Sequence, residues 1–376
     1  MRCDLAESSD ANPFTRLQRE LAELTGPQRA ELEWRSMMRR MEVAQASVAA
    51  PGLVDILRRL LLARLFMDGQ IDASTVRAAA AQPVRNIQIS LASGGQTGVS
   101  GDATQFLTYL ISEDAHFGSA TQEAAAQRGM GIHVRDGDPV LDDIRQIKSG
   151  FREPWQNLPP LTFENMPQYI VAGEGNQPLY TRGSVHPFWA DWYRQVIDGR
   201  PPNDPLLRDV ALIDDAIWQA GGDALDGAID LIVERHRLLA EVRNLRALLR
   251  DAGQPRPNGI GPGHNHPPEP VDVPAELLAA SADIDQALAT AEDILSRRNP
   301  SASALTKVGS FLRDAALAVG RYCAATGDKA VNEAAKSFGT TIGKLGATAV
   351  VGWCLAHADT IQKLAQDLIA FAHRLP

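Results

Sequence analysis

With 376 residues, 44% of them hydrophobic and 22% charged, the chain has the composition of a globular protein, which excludes wholesale disorder and a many-span membrane protein. Lys and Arg total 37 against 46 Asp and Glu, and a net charge of −9 disfavours general affinity for nucleic-acid phosphates or anionic lipid. The length exceeds what one core normally serves, so two or three folded units are expected.

The three cysteines, Cys3, Cys323 and Cys354, have neither the number nor the spacing of a zinc site or a disulfide framework, which fits a reducing cytoplasm. Asp4, Glu7 and Asp10 stand where a secretory signal would have an apolar run, so a cytoplasmic location is expected.

Residues 1–82 read as an N-terminal helical bundle. Asn12-Pro13 suits a helix start, Phe14, Leu17, Leu21 and Leu24 line one face, and Gly26-Pro27 is expected to stop that helix. A second helix carries Trp34, Met37, Met41, Ala44 and Val48 up to Pro51-Gly52. A third, Leu53 to Phe66, places Leu57, Leu60, Leu61 and Leu65 on its inner side and ends at Asp68-Gly69.

Residues 83–185 form a Gly/Pro-rich middle region with few short strands. Ile87, Ile89 and Leu91 alternate with polar residues, Ile132-His133-Val134 is a second strand candidate, and Asp102 to Ser112 and Ala120 to Arg128 look helical. Five prolines between Phe151 and Tyr180 exclude a long helix or a central strand there.

Helical patterning returns over 186–250. Phe188, Trp189, Trp192 and Tyr193 share helical faces at spacings of three and four, so Phe188 with Trp192 and Trp189 with Tyr193 are the expected ring pairs of a packing anchor. A helix from about Ala224 to Leu249 follows. Its Leu238, Val242, Leu245 and Leu249 stripe suits pairing within or between chains, with Arg235, Arg237, Arg243, Arg246 and Arg250 on the remaining surface.

Residues 251–275 have too little apolar surface to offset their ordering entropy and read as a flexible linker. An alanine-rich helical domain over 276–376 completes the chain, with helices expected at Ala275 to Ser296, Ser301 to Thr326, and one or two more from Asp328 to Leu375. The fold expected is mainly α: helical bundles with a small irregular or α/β middle region.

The most chemical-looking segment is Ser93-Gly94-Gly95-Gln96-Thr97-Gly98, between a candidate strand and a candidate helix. The plain reading is a flexible Gly/Ser loop; as the alternative, glycines there let backbone amides approach a phosphate, which makes Gly94, Gly95, Thr97 and Gly98 candidate nucleotide-binding residues. The run resembles the nucleotide-binding loop of SLOG-type Rossmann proteins, although Ser100-Gly101 stands where those proteins have an Asp-Arg pair.

In the linker, His264, Asn265, His266, Pro267 and Pro268 form a candidate partner-binding motif held extended by its prolines. Two imidazoles alone do not make a stable metal site, and no metal or cofactor is implied. The adjacent carboxylates Asp142-Asp143 and Asp214-Asp215 point to different helical faces and are expected to be solvated, not to form acid/base couples. His116, His133, His186 and His236 lack a nucleophile-elbow context.

The apolar run from Leu345 to Ala356, preceded by Gly339 and Gly343, spans only about twelve residues, whereas a membrane span needs about twenty. It is read as a buried core helix. Membrane insertion is an alternative confined to residues 339–358.

The segment His186-Pro187-Phe188-Trp189-Ala190-Asp191-Trp192-Tyr193, with Asp198-Gly199, Ala211-Leu212-Ile213 and Trp218, is similar to a module of uncharacterised helical proteins of alphaproteobacteria. Those proteins tend to carry a Gly-Ile-Gly-His-Asn-x-Pro-Pro signature. It is matched here by Gly259-Ile260-Gly261 and His264 to Pro268, with Pro262-Gly263 inserted. The resemblance implies a bacterial origin and a shared helical architecture, and brings no activity with it.

The functional expectation is a non-enzymatic helical interaction or scaffold protein, acting through a protein partner or self-association and without general nucleic-acid binding. Its alternatives are a nucleotide-binding sensor or enzyme using the Gly94–Gly98 loop, and a membrane-active effector using the C-terminal helices.

Overall fold

A computed structural model describes residues 19–47, 50–82, 107, 108, 110, 139–149, 185–197, 204–253, 275–337 and 356–376. Of these residues 86% are helical and none lies in a strand, so the mainly α class holds. The chain forms two compact units, residues 1–228 and 229–376.

In the first unit, α1 (Gly26–Ser47) and α2 (Ala50–Met67) pack together, followed by α3 (Ala73–Ala81), α4 (Pro139–Lys148), α5 (Pro187–Ile197), α6 (Asp204–Ala211) and α7 (Asp215–Ala220). The helix through residues 19–22 ends before Gly26, as expected, and α1 ends at Ser47 with α2 starting at Ala50. Gly26-Pro27 and Pro51 then also open the helices that follow, both prolines lying in first turns, where the missing N–H has no intrahelical acceptor to lose. The expected stop at Asp68-Gly69 is present. Gly69 adopts φ +69°, its N–H donates to the Phe66 carbonyl at 3.0 Å, and Gln70 N–H donates to the Leu65 carbonyl at 2.8 Å, a Schellman end.

The sequence pattern gives α2 one inner face, but the structure buries every residue from Leu53 to Leu65. It is the central helix of its unit, covered on all sides, and it carries Asp55, Arg58, Arg59 and Arg64 into the interior.

The α4 helix lies where the pattern suggested only irregular structure. Ile144 and Ile147 are buried against Leu24 and Leu32. Of the helix expected over residues 102–112, Leu107, Thr108 and Leu110 are described, and they are helical. The candidate strands at 87–91 and 132–134 and the helix expected at 120–128 lie outside the described residues.

The second unit comprises α8 (Gly222–Gly253) from Ile229 onward, α9 (Ala275–Ser296), α10 (Ala302–Ser337) and α11 (Ala358–Arg374). The stripe Leu238, Val242, Leu245 and Leu249 is buried within this unit, in one cluster with Ile284, Leu288, Leu312, Leu364, Leu368 and Phe371. Its pairing is therefore within the chain. At Gly309 the α10 and α11 backbones come very close: a Cβ there would stand 2.7 Å from Ile369 Cγ1 and 3.0 Å from the Ala365 carbonyl oxygen. No described helix is long and apolar enough to cross a membrane.

Candidate functional site

The sequence-level candidates Gly94, Gly95, Thr97 and Gly98 and the segment His264, Asn265, His266, Pro267 and Pro268 lie outside the described residues, as does the apolar run from Leu345 to Leu355. The structure instead draws attention to the charged interior of the first unit, which periodicity alone does not reveal.

Arg35 on α1 is 1% exposed, and its guanidinium contacts Glu31 at 2.9 Å, Asp143 at 3.3 Å and Gln146 at 3.1 Å. Arg64 on α2 reaches the same Glu31 at 2.6 Å and closes on Asp68 at 2.7 Å. Asp143, expected to be solvated, is fully buried, because α4 lays it against Arg35. Asp214 and Asp215 also have separate duties. Asp214 accepts the Ala216 N–H at 2.7 Å as the N-cap of α7, and Asp215 takes the Arg58 guanidinium at 2.7 Å.

The aromatic anchor packs as expected, but its ring contacts run through Trp189 and not along the expected pairs. Trp189 meets Phe188 edge-on at 5.0 Å, Trp192 edge-on at 6.0 Å, and Trp218 at 6.0 Å. Arg58 lies over the Trp218 ring, 4.3 Å from its centre, so one guanidinium joins α2 to α7 by an ion pair and a cation–π contact.

Beside this contact α2, α3 and α7 leave a cleft of about 30 Å³, bordered by Asp55, Arg58, Arg59, Gln82, Trp218 and Gln219 among others. Arg59 is 5% exposed, and its hydrogen bonds go to the main-chain carbonyls of Gln82, at 2.7 Å, and Asp55, at 3.5 Å. Burial pushes its guanidinium below the ordinary arginine range, the charge of Asp55 opposes that shift, and Arg58 adds to it. The Gln219 side-chain amide donates to Gln82 at 2.7 Å and closes one end.

No family model matches the sequence, and neither a curated protein nor a solved structure is significantly similar to it.

In the second unit the arginines of α8 are tied into the bundle. Arg237 binds Glu234 at 2.9 Å, Glu241 at 3.0 Å and Asp367 at 2.9 Å. Arg243 binds Glu292 at 3.0 Å, and Arg246 binds the same carboxylate. Hydrogen bonding from Arg237 holds the Glu234 carboxyl below its usual range, and that bond raises Arg237 in turn.

Arg235, expected on the surface, is 5% exposed, and it donates to the carbonyls of Arg297 and Arg298 at 2.9 and 2.7 Å, just past the end of α9. Among the described residues no three His, Cys, Asp or Glu side chains are grouped to hold a metal ion.

Among the described residues an apolar strip lies along the outside of α10. Along α10, Ala304, Val308, Phe311, Ala315 and Ala318 recur at spacings of four and three. Ala304, Val308 and Ala315 are half-buried against the core, whereas Phe311 is 42% exposed. Lys307 and Asp314, both exposed, border the strip on one side.

Proposed function

We propose that this protein is a non-enzymatic helical scaffold that associates with a second copy of itself through the apolar strip of α10. The observation that carries this reading is Phe311. A large ring stands half in solvent at the middle of a heptad-spaced line of small side chains, a surface able to receive the same line from another helix. An antiparallel copy would set each Lys307 near the Asp314 of the other chain, so the charges bordering the strip are complementary in the pairing that the strip allows.

A protein partner also suits the charge distribution. The net charge is −9, and Arg237, Arg243 and Arg246 are engaged by carboxylates of their own unit, which leaves these side chains poorly placed to line up on phosphates.

The test is light scattering on the full chain over a range of concentrations. The expected result is a concentration-dependent assembly that Phe311→Asp dissociates while circular dichroism and melting temperature stay those of the wild type. A wild-type chain that is monomeric throughout, or an assembly unaffected by Phe311→Asp, overturns the proposal.

A further inference from the structure

Charged side chains are rarely buried without a partner, because the loss of water is costly unless an opposite charge replaces it. Arg35, Arg58 and Arg64 obey this rule, each meeting a carboxylate within 3.3 Å. Arg59 does not. It is buried, and its side-chain hydrogen bonds end on two neutral carbonyls. Its Nε–H finds no acceptor among the described residues.

The neighbouring carboxylates are otherwise engaged: Asp215 pairs with Arg58 at 2.7 Å, and Asp55 has an interaction of its own and acts on Arg59 through its charge without hydrogen-bonding it. Trp218, 3% exposed, borders the same cleft, and its indole N–H also lacks an acceptor among the described residues. Two buried side chains that each keep an unused donor, one of them cationic, thus line one opening.

The acceptor must be small and anionic. One water needs roughly 10–15 Å³ of such space, so a cleft of about 30 Å³ has room for about two oxygen-sized groups. The two oxygens of a carboxylate fit that space with their carbon at its open side. We propose that the cleft between α2, α3 and α7 is a binding site for a small monocarboxylate, held by Arg59 and the indole N–H of Trp218. The planar guanidinium offers a carboxylate charge-assisted hydrogen bonds, and the Trp218 ring is kept in place by Arg58 on its face.

The experiment is a titration of the full chain with sodium acetate at constant ionic strength, balanced with sodium chloride. The readout is the indole ¹⁵N–¹H resonances, with that of Trp218 identified by its loss in Trp218→Phe. The expected result is a saturable shift of the Trp218 resonance. Arg59→Gln, its helicity checked by circular dichroism, is expected to weaken acetate binding about tenfold or more, the loss typical of one charge-assisted contact. Calorimetry gives the same constant independently, and in Trp218→Phe it is expected to show weaker binding with the fold intact. No saturable shift with acetate overturns the proposal, as does an equal response to chloride or to inorganic phosphate, or acetate affinity unchanged in Arg59→Gln.

Discussion

Arg35 and Asp143 are 108 residues apart in the chain and meet at 3.3 Å inside the first unit, with side-chain exposures of 2% and 0%. The pair fastens α4 to α1, and Arg35 carries the load further through Glu31 to Arg64 on α2. Removing Asp143 leaves the buried Arg35 with Glu31 as its one remaining carboxylate in this network, and Arg64 shares it. Asp143→Ala is therefore expected to cost about 3–5 kcal/mol, whereas the joint replacement Arg35→Met with Asp143→Leu should cost far less. Urea denaturation of the single and double variants checks this, and a single variant with wild-type stability would sink the idea that the pair is a structural tie.

Gly309 is expected to tolerate no side chain. An added Cβ would meet Ile369 Cγ1 at 2.7 Å and the main-chain oxygen of Ala365 at 3.0 Å, so α10 and α11 must separate to admit it. Gly309→Ala should destabilise the second unit by roughly 1–3 kcal/mol and Gly309→Val by more. Combining Gly309→Ala with Ile369→Ala should show a double-mutant loss smaller than the sum, because the second change removes one of the two clashes. Thermal melts of the four proteins measure it.

Asp72 gives an acid-side prediction whose sign is fixed by its hydrogen bonds. As the N-cap of α3 its carboxylate accepts from Thr75 N–H at 2.8 Å, Ser74 Oγ at 2.7 Å and Thr75 Oγ1 at 2.9 Å, the first of these contributing most. Together they lower its pKa from 3.8 to about 2. The unfolded chain then binds the proton more readily. The carboxylate's contribution is complete above pH 3.8 and is lost as pH falls through about 2. The stability gap between wild type and Asp72→Ala should narrow over that interval. A carboxyl resonance of Asp72 titrating near the ordinary value would contradict the capping geometry.

What could be read from the sequence divides along physical lines. Ala275–Ser296 was legible to the residue at both ends, and α5 at its start, because alanine-rich and aromatic runs at helical spacing report local preference and one buried face together. The all-round burial of α2 was hidden, since Arg58, Arg59 and Arg64 read as a solvated face unless their partners on distant elements are known. The same holds for Asp143. Its helix had a signal, Pro139 in the first turn and then Val140, Ile144 and Ile147 at spacings of four and three, which the surrounding glycines and prolines masked. The cleft at Arg59 could not be seen at all, because it is formed by three helices whose meeting no spacing encodes.

The leucine stripe of α8 shows how a pattern can be right and still leave its partner undetermined. Leu238, Leu245 and Leu249 repeat as a seam between two chains would, yet α9, α10 and α11 of the same unit cover them. Leu245, 2% exposed, is expected to cost about 2–5 kcal/mol when changed to Ala, the range for a buried leucine that leaves a cavity. Changing Leu238, Leu245 and Leu249 together to Ser should unfold the second unit instead of merely separating copies, because each hydroxyl would also enter an apolar interior. Phe311→Asp should do the reverse, separating copies with helicity intact. Circular dichroism and light scattering on the two proteins therefore separate a core from an interface. A triple serine variant that stays fully helical while losing mass would return the stripe to the role of an intermolecular seam.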